Sequence, residues 1–258
     1  MTLPSLDSLR RVVIGGSWIT KKDIKKFKSI APHADICVLY GSTEVEPIAR
    51  IEGNELLRDR SGKGMNVGSI LEDLEYKFIK IHQANVEFGR SGWGEWEVEN
   101  GRIGELILSG PHVCREYYNN TEAARMTKIK ETNGKVWHRT GDVGYLDEKG
   151  RLRILGRIHN VIKRGNECLF PIPAEMLLKE LDFVREAAFL GMENKVCAII
   201  SLKKSYEGNE VAQYMKEARK QLEQNRIPVD EIKIVRKIPT DPRHHSKVEY
   251  SKLRTLLE

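Results

Sequence analysis

Apolar positions fall into short runs and helical stripes that mark out elements along the chain. Residues 12–16 (VVIGG) form an apolar run ending on a glycine pair, which predicts a short buried strand stopped by a turn. Ile24, Phe27 and Ile30 recur at helical spacing and predict a short amphipathic helix over 21–30. Residues 36–40 (ICVLY) read as a buried strand of the parallel kind. Polar Ser42, Thr43 and Glu44 then sit beyond its carboxyl end, where open α/β sheets bind ligands.

From 76 to 155 the pattern is short strands with glycine turns, clearest at 76–81, 104–108, 136–138 and 152–155. This predicts a small barrel or a distorted antiparallel sheet. One helix interrupts it, with Thr121 as N-cap for 122–127. Past Arg157, Pro173 opens a helix through Leu181, and strands follow at 186–190 and 196–202. Val211, Tyr214, Met215, Ala218 and Leu222 mark an amphipathic helix. A strand at 232–235 and a last helix through Tyr250, Leu253, Leu256 and Leu257 complete a compact α+β pattern. The expected division is therefore 1–156, an α/β sheet edge with a barrel-like part, and 157–258, an α+β domain joined near His159.

The 258 residues suffice for one large domain or two smaller ones. The formal net charge is +6, but Lys and Arg are interleaved with acids and no basic run carries aromatic residues. That pattern points to affinity for anionic small molecules rather than to nucleic acid. Cys37, Cys114, Cys168 and Cys197 form no CxxC pair and read as buried thiols in a reducing compartment. The first residues lack an apolar signal core, and the longest apolar run, 196–202, is far too short to span a bilayer. A cytoplasmic protein is expected, with the sequon at 119–121 a chance match. Residues 61–64 (SGKG) lack the spacing and the hydroxyl residue of a phosphate loop and read as a plain turn.

The densest chemistry lies between His138 and Glu175. Asp142 falls on the short turn RTGD, residues 147–150 (DEKG) read as a hairpin turn, and Gly156-Arg157 closes the next run. A carboxylate behind a glycine turn and an arginine at a strand end could grip a ribose diol and a phosphate. Taken singly, Tyr40 also reads as a core aromatic, Glu44 as a solvated loop acid and Lys247 as a surface charge.

This block resembles a signature of the adenylate-forming superfamily: acyl-CoA synthetases, luciferases and peptide-synthetase adenylation domains. Tyr40-Gly41-Ser42-Thr43-Glu44 resembles its YGxTE motif, and residues 242–247 (PRHHSK) resemble its C-terminal lysine motif. The resemblance implies joining of a carboxylate, a fatty acid in the closest branches, to ATP with release of pyrophosphate. The acyl group then passes to a thiol such as coenzyme A. It implies that Tyr40 stacks on adenine, Thr43 bonds the α-phosphate and Glu44 holds Mg²⁺. Gly15-Gly16 resembles the glycine pair beside the acyl pocket and adenine. Asp142 would take the ribose hydroxyls, with Arg157 approaching the same nucleotide. Lys247 would reach the reacting carboxylate and α-phosphate oxygens.

This sequence departs from the pattern at several points. His159 stands at the hinge position, where Asp or Lys is usual. Asn166 aligns with a loop glycine, and Ser246 replaces a glycine in the lysine motif. The adjacent His244-His245 has no further ligand nearby in sequence to make a metal site. The stretches CREYYNNTEAARMTKI, VWHRTGDVGYLDEKGRL, ECLFPIPAE and DPRHHSKV are similar to the β-lactone synthetases of long-chain olefin biosynthesis, and long-chain acyl-CoA ligases share much of them. Nothing like the family's Ser/Thr/Gly-rich phosphate loop precedes Gly15, so the resemblance covers the second half of the pattern. That implies a truncated gene, one half of a split enzyme or a fragment, with a separate chain or a homodimer supplying the rest. A non-catalytic relic that keeps the fold without ATP chemistry stands as the alternative.

Overall fold

The computed structural model describes residues 6–60, 63–99, 101–206, 210–242 and 247–258. The chain divides into two compact units, one through Ile154 and the other from Leu155.

The first unit is built on one large sheet, whose last strand in sequence runs on past Ile154. Its strands are β1 (Arg11–Ile14), β2 (Asp35–Ser42), β3 (Val45–Glu52), β4 (Met65–Ile70), β5 (Glu75–Ile79), β6 (Gly104–Ser109), β7 (Lys128–Lys130), β8 (Val136–Leu146) and β9 (Leu152–Arg157). Neighbours run β1-β2-β3-β4-β9-β8-β6-β5, with β7 added beside β8. β1 and β2 are parallel, whereas β2 and β3 form an antiparallel hairpin. The strands expected to make a barrel-like part thus extend the same open sheet and do not close on themselves.

Helix α1 (Lys21–Ile30) starts at a capping box in which Thr20 and Asp23 satisfy each other's backbone N–H. It joins α2 (Gly53–Arg58) in covering β2 and β3, with Ile24, Ile36, Val38, Ile51 and Leu56 as the core. A second core gathers Ile79, Ile107, Ile129 and Trp137, with Phe88, Trp93 and Trp96 against it. The indole N–H groups of Trp93 and Trp137 both donate to Glu131 Oε1 at 2.8 Å, so two donors share one carboxylate oxygen. Helix α3 (Thr121–Thr127) is capped by Asn120, whose side chain accepts from Ala123 N, so the cap lies one residue before the expected Thr121.

The second unit carries the hairpin β10 (Ile162–Arg164) and β11 (Glu167–Leu169) and the sheet β12 (Val184–Met192), β13 (Lys195–Leu202) and β14 (Glu231–Ile234). Alternation along β12 sends Ala187 and Phe189 to one core with α4 (Pro171–Lys179) and α5 (Val211–Gln224). Ala188 and Leu190 face a second core under α6 (Tyr250–Leu257). Pro171, not Pro173, occupies the first helical position of α4, where its missing N–H leaves no bond unmade. In the β10–β11 turn the left-handed residue is Gly165 (φ 59°), so Asn166 need not supply that conformation.

The thiols do not share one environment: Cys37 and Cys197 are buried, Cys114 is half-buried and Cys168 is exposed. Among the described residues no helix is long and apolar enough to cross a membrane.

Candidate nucleotide site

The end of β2 sets the first wall of the site. Gly15, just past β1, lies so close to β2 that a Cβ would meet Leu39 O at 2.9 Å, and Gly16 follows with φ 79°. A side chain at 15 would push the two parallel strands apart. Ser42 pairs with Val45, leaving Thr43 and Glu44 as a two-residue turn. Ser42 therefore still belongs to the strand, and only Thr43 and Glu44 lie beyond its carboxyl end. Gly41 keeps this hairpin tight, since a Cβ there would meet Val45 O at 2.8 Å and the Glu46 carboxylate.

Asp142 lies within β8 and not on a turn. The register of β6 against β8 shifts between Glu105 and Ile107, and Gly141 takes φ 71° at that irregularity. Buried polar groups hold it. Glu105 Oε1 accepts from Gly141 N at 3.2 Å, Thr140 Oγ1 accepts from Asp142 N at 3.0 Å, and Thr140 donates to Leu106 O. Glu105 also pairs with Arg139 at 2.6 Å, both side chains almost wholly buried. Burial pushes the Glu105 carboxyl up despite this partner. The result is contact between two candidates far apart in sequence: Tyr40 Oη donates to Asp142 Oδ2 at 2.5 Å.

Glu44 is held at both ends. Its carbonyl accepts from Cys114 N at 2.8 Å, and its Oε1 accepts from Tyr117 Oη at 2.9 Å. Burial pushes the Glu44 carboxyl up, but the Tyr117 hydroxyl and a backbone amide outweigh it, and the net shift is down. An ionised carboxylate on a turn suits a hard cation. The described residues contain no cluster of three or more His, Cys, Asp or Glu that could enclose a metal. The donor set fits Mg²⁺, which keeps several waters and commonly takes one or two carboxylates plus substrate phosphates.

Tyr117 lies on the loop before α3 and Lys128 opens β7; both fall within the stretch CREYYNNTEAARMTKI, but the motif resemblance gives neither a role. Lys128 Nζ donates to Cys114 O at 2.5 Å and to His138 Nδ1 at 3.1 Å, and lies 4.8 Å from the centre of the Tyr117 ring. Burial lowers its pKa. A lysine directly after a helix reads as a surface charge, and only the fold turns this one inward.

Arg157, His159 and Lys247 belong to the second unit. Arg157 ends β9, and His159 lies in a 3₁₀ turn, Ile158–Asn160. Lys247 is exposed, and its carbonyl accepts from Asp241 N at 2.8 Å beside a bridge between Thr240 and Val248. The adjacent His244, His245 and Ser246 lie outside the described residues.

A tyrosine and a carboxylate over a strand end, beside a turn carrying Thr and Glu, stand where open α/β sheets bind ligands. The family model described as "AMP-binding enzyme" matches residues 2–118. An olefin beta-lactone synthetase of Stenotrophomonas maltophilia is 31% identical over 72% of this chain and 35% of its own length. Among solved structures, the amide bond synthetase McbA of Marinactinospora thermotolerans matches 97% of this chain and 48% of its own at TM-score 0.73 and 24% identity. The O-succinylbenzoate coenzyme A synthetase of Bacillus subtilis, solved with ATP and magnesium ion, matches 92% of this chain and 45% of its own at TM-score 0.66 and 25% identity. The chain belongs to the adenylate-forming superfamily of AMP-binding enzymes. It spans about a third of the length of the curated relatives and about half that of the solved chains.

Proposed function

We propose that this chain carries the nucleotide-binding and lysine-bearing parts of an ATP-dependent acid-activating ligase. Such an enzyme joins a carboxylic acid to AMP, releases pyrophosphate and passes the acyl group to a thiol, coenzyme A being one. The observation that carries the reading is the Tyr40–Asp142 hydrogen bond at the end of β2. A flat aromatic face beside a carboxylate able to accept from sugar hydroxyls supports recognition of an adenosine. Thr43 offers a hydroxyl to the α-phosphate, and Glu44 offers its carboxylate to Mg²⁺. A bound magnesium ion would neutralise phosphate charge and hold the phosphates in line. Gly15, Gly16 and Gly41 keep the backbone close around this pocket. Arg157 serves the same nucleotide, and Lys247 stabilises charge growing at the carboxylate and α-phosphate oxygens.

The likeness to an olefin beta-lactone synthetase supports a second reading. There the activated acid carries a 3-hydroxyl that attacks its own acyl carbon, closing a β-lactone and expelling AMP.

Both readings require adenosine recognition by the first unit. Calorimetric titration with AMP tests this, because AMP needs no β- or γ-phosphate contacts. Wild-type chain is expected to bind AMP, and Asp142→Ala to bind it about tenfold or more weakly. Absence of AMP binding, or equal binding by the variant, would overturn the assignment. Product analysis with 3-hydroxy acids then separates the readings, since only the second yields a β-lactone.

A further inference from the structure

Lys128 is a buried charge of the first unit outside the residues assigned above. It is 7% exposed, and the charge of the Glu44 carboxylate acts on it. An ammonium has three N–H donors and no acceptor. One is directed to Cys114 O, one to His138 Nδ1, and the Tyr117 ring face lies 4.8 Å from the nitrogen.

Cys114 and Tyr117 are also the residues that hold Glu44. The amide N–H of Cys114 holds the Glu44 main chain, and the hydroxyl of Tyr117 holds its carboxylate. Both grips come from one loop, and both residues of that loop touch Lys128. A cation over a desolvated aromatic face is attracted by the ring quadrupole, which fixes the ring plane and with it the direction of the hydroxyl. Thr127, on the last turn of α3, donates to Ala123 O and lies 3.5 Å from the Tyr117 hydroxyl. The remaining surroundings of the ring are therefore compatible with a hydroxyl that points at Glu44.

We infer that Lys128 is a positioning residue for Glu44: its ammonium clamps the 114–117 loop so that Tyr117 Oη and Cys114 N together fix the carboxylate of Glu44 for a divalent cation. The cation-binding part rests on the proposed role of Glu44, whereas the clamp itself does not.

Two measurements separate these parts. The first is a crystal structure of Lys128→Met, which keeps the stem and removes the charge. The Tyr117 Oη to Glu44 Oε1 bond is expected to be lost, and its retention would overturn the inference. If Lys128→Met does not fold, Lys128→Arg and Tyr117→Phe take its place. Lys128→Arg keeps a cation over the ring and is expected to retain the bond. Its loss there would count against the clamp.

The second measurement is Mn²⁺ binding in the presence of ATP, followed by electron paramagnetic resonance. Lys128→Met and Tyr117→Phe are each expected to weaken it about tenfold, the size of one hydrogen bond to a charged group. The double variant should lose less than the sum of the two single losses, because both changes act on the same hold on Glu44. Lys128→Arg should restore most of the affinity. Additive losses, or wild-type affinity in Lys128→Met, would overturn the inference. Wild-type affinity in Glu44→Gln would instead sink the metal role of Glu44, and the bond seen in the crystal would then decide the clamp alone.

Discussion

At the scale of single residues, the chemistry divides between side chains that sequence reveals and side chains that only the fold places. Lys247 is of the first kind. Its side chain is exposed and its main chain is tied to Asp241, so truncation removes a charge without touching a core. Lys247→Ala should leave the melting temperature unchanged within error. Joined to the N-terminal part of a relative, which this chain does not match, the variant should lose about 10²–10³ in pyrophosphate release. Transfer from a pre-made acyl-adenylate should be far less affected. Equal losses in both half-reactions would point to a binding or folding defect instead. Tyr117 and Lys128 are of the second kind. Each sits in a locally polar stretch with a satisfactory reading as surface, and their meeting with Glu44 depends on contacts about seventy residues apart or more. Periodicity carries no information at that range.

At the scale of elements, continuous apolar runs and helical stripes were legible, and edges and interrupted strands were not. The parallel pair β1–β2, strands β12, β13 and β14 and helices α5 and α6 follow their apolar patterns closely. β3 and α2 escaped notice because Glu46, Pro47 and Arg50 break the apolar pattern of VEPIARIE, and a proline within a run argues against a strand. Asp142 seemed to lie on a turn because a glycine before an aspartate usually signals one, whereas here Gly141 marks an irregularity inside a long strand.

Helix α4 supplies a pH dependence at the same scale. Glu175 is 1% exposed and accepts from Phe189 N at 2.9 Å and from the hydroxyl of Tyr250 at the start of α6. Burial raises its pKa from the ordinary 4.5 to about 7, against the opposing effect of these donors. The folded state therefore holds this proton more tightly than the unfolded chain. The associated stability is fully present below pH 4.5, declines as pH rises to about 7 and is gone above it. The span corresponds to about 3 kcal/mol. Urea unfolding of wild type and Glu175→Gln between those pH values checks this, and the variant should lack that slope. Parallel pH profiles would show that Glu175 is already ionised in the fold.

At the scale of the whole molecule, the chain forms two units that divide at Ile154 and Leu155, each with its own core. We propose that the second unit folds independently and swings about the 3₁₀ turn at His159, bringing Lys247 to the nucleotide in one half-reaction and withdrawing it in the other. Limited proteolysis should cut between 157 and 166 and release a stable C-terminal piece. Cleavage confined to the interior of β12–β14 would show that the second unit is not a folding unit.

The placement of indoles offers an independent view of the same question. All four tryptophans, at 18, 93, 96 and 137, fall in the first unit, and two of them share the carboxylate of Glu131. The second unit has tyrosines at 206, 214 and 250 but no indole. Selectively excited tryptophan emission therefore reports the melting of one half of the molecule and is blind to the other, while far-ultraviolet circular dichroism sees both. If the halves melt separately, the two signals will trace different curves from one sample, and the emission colour will record the moment the Glu131 clasp opens.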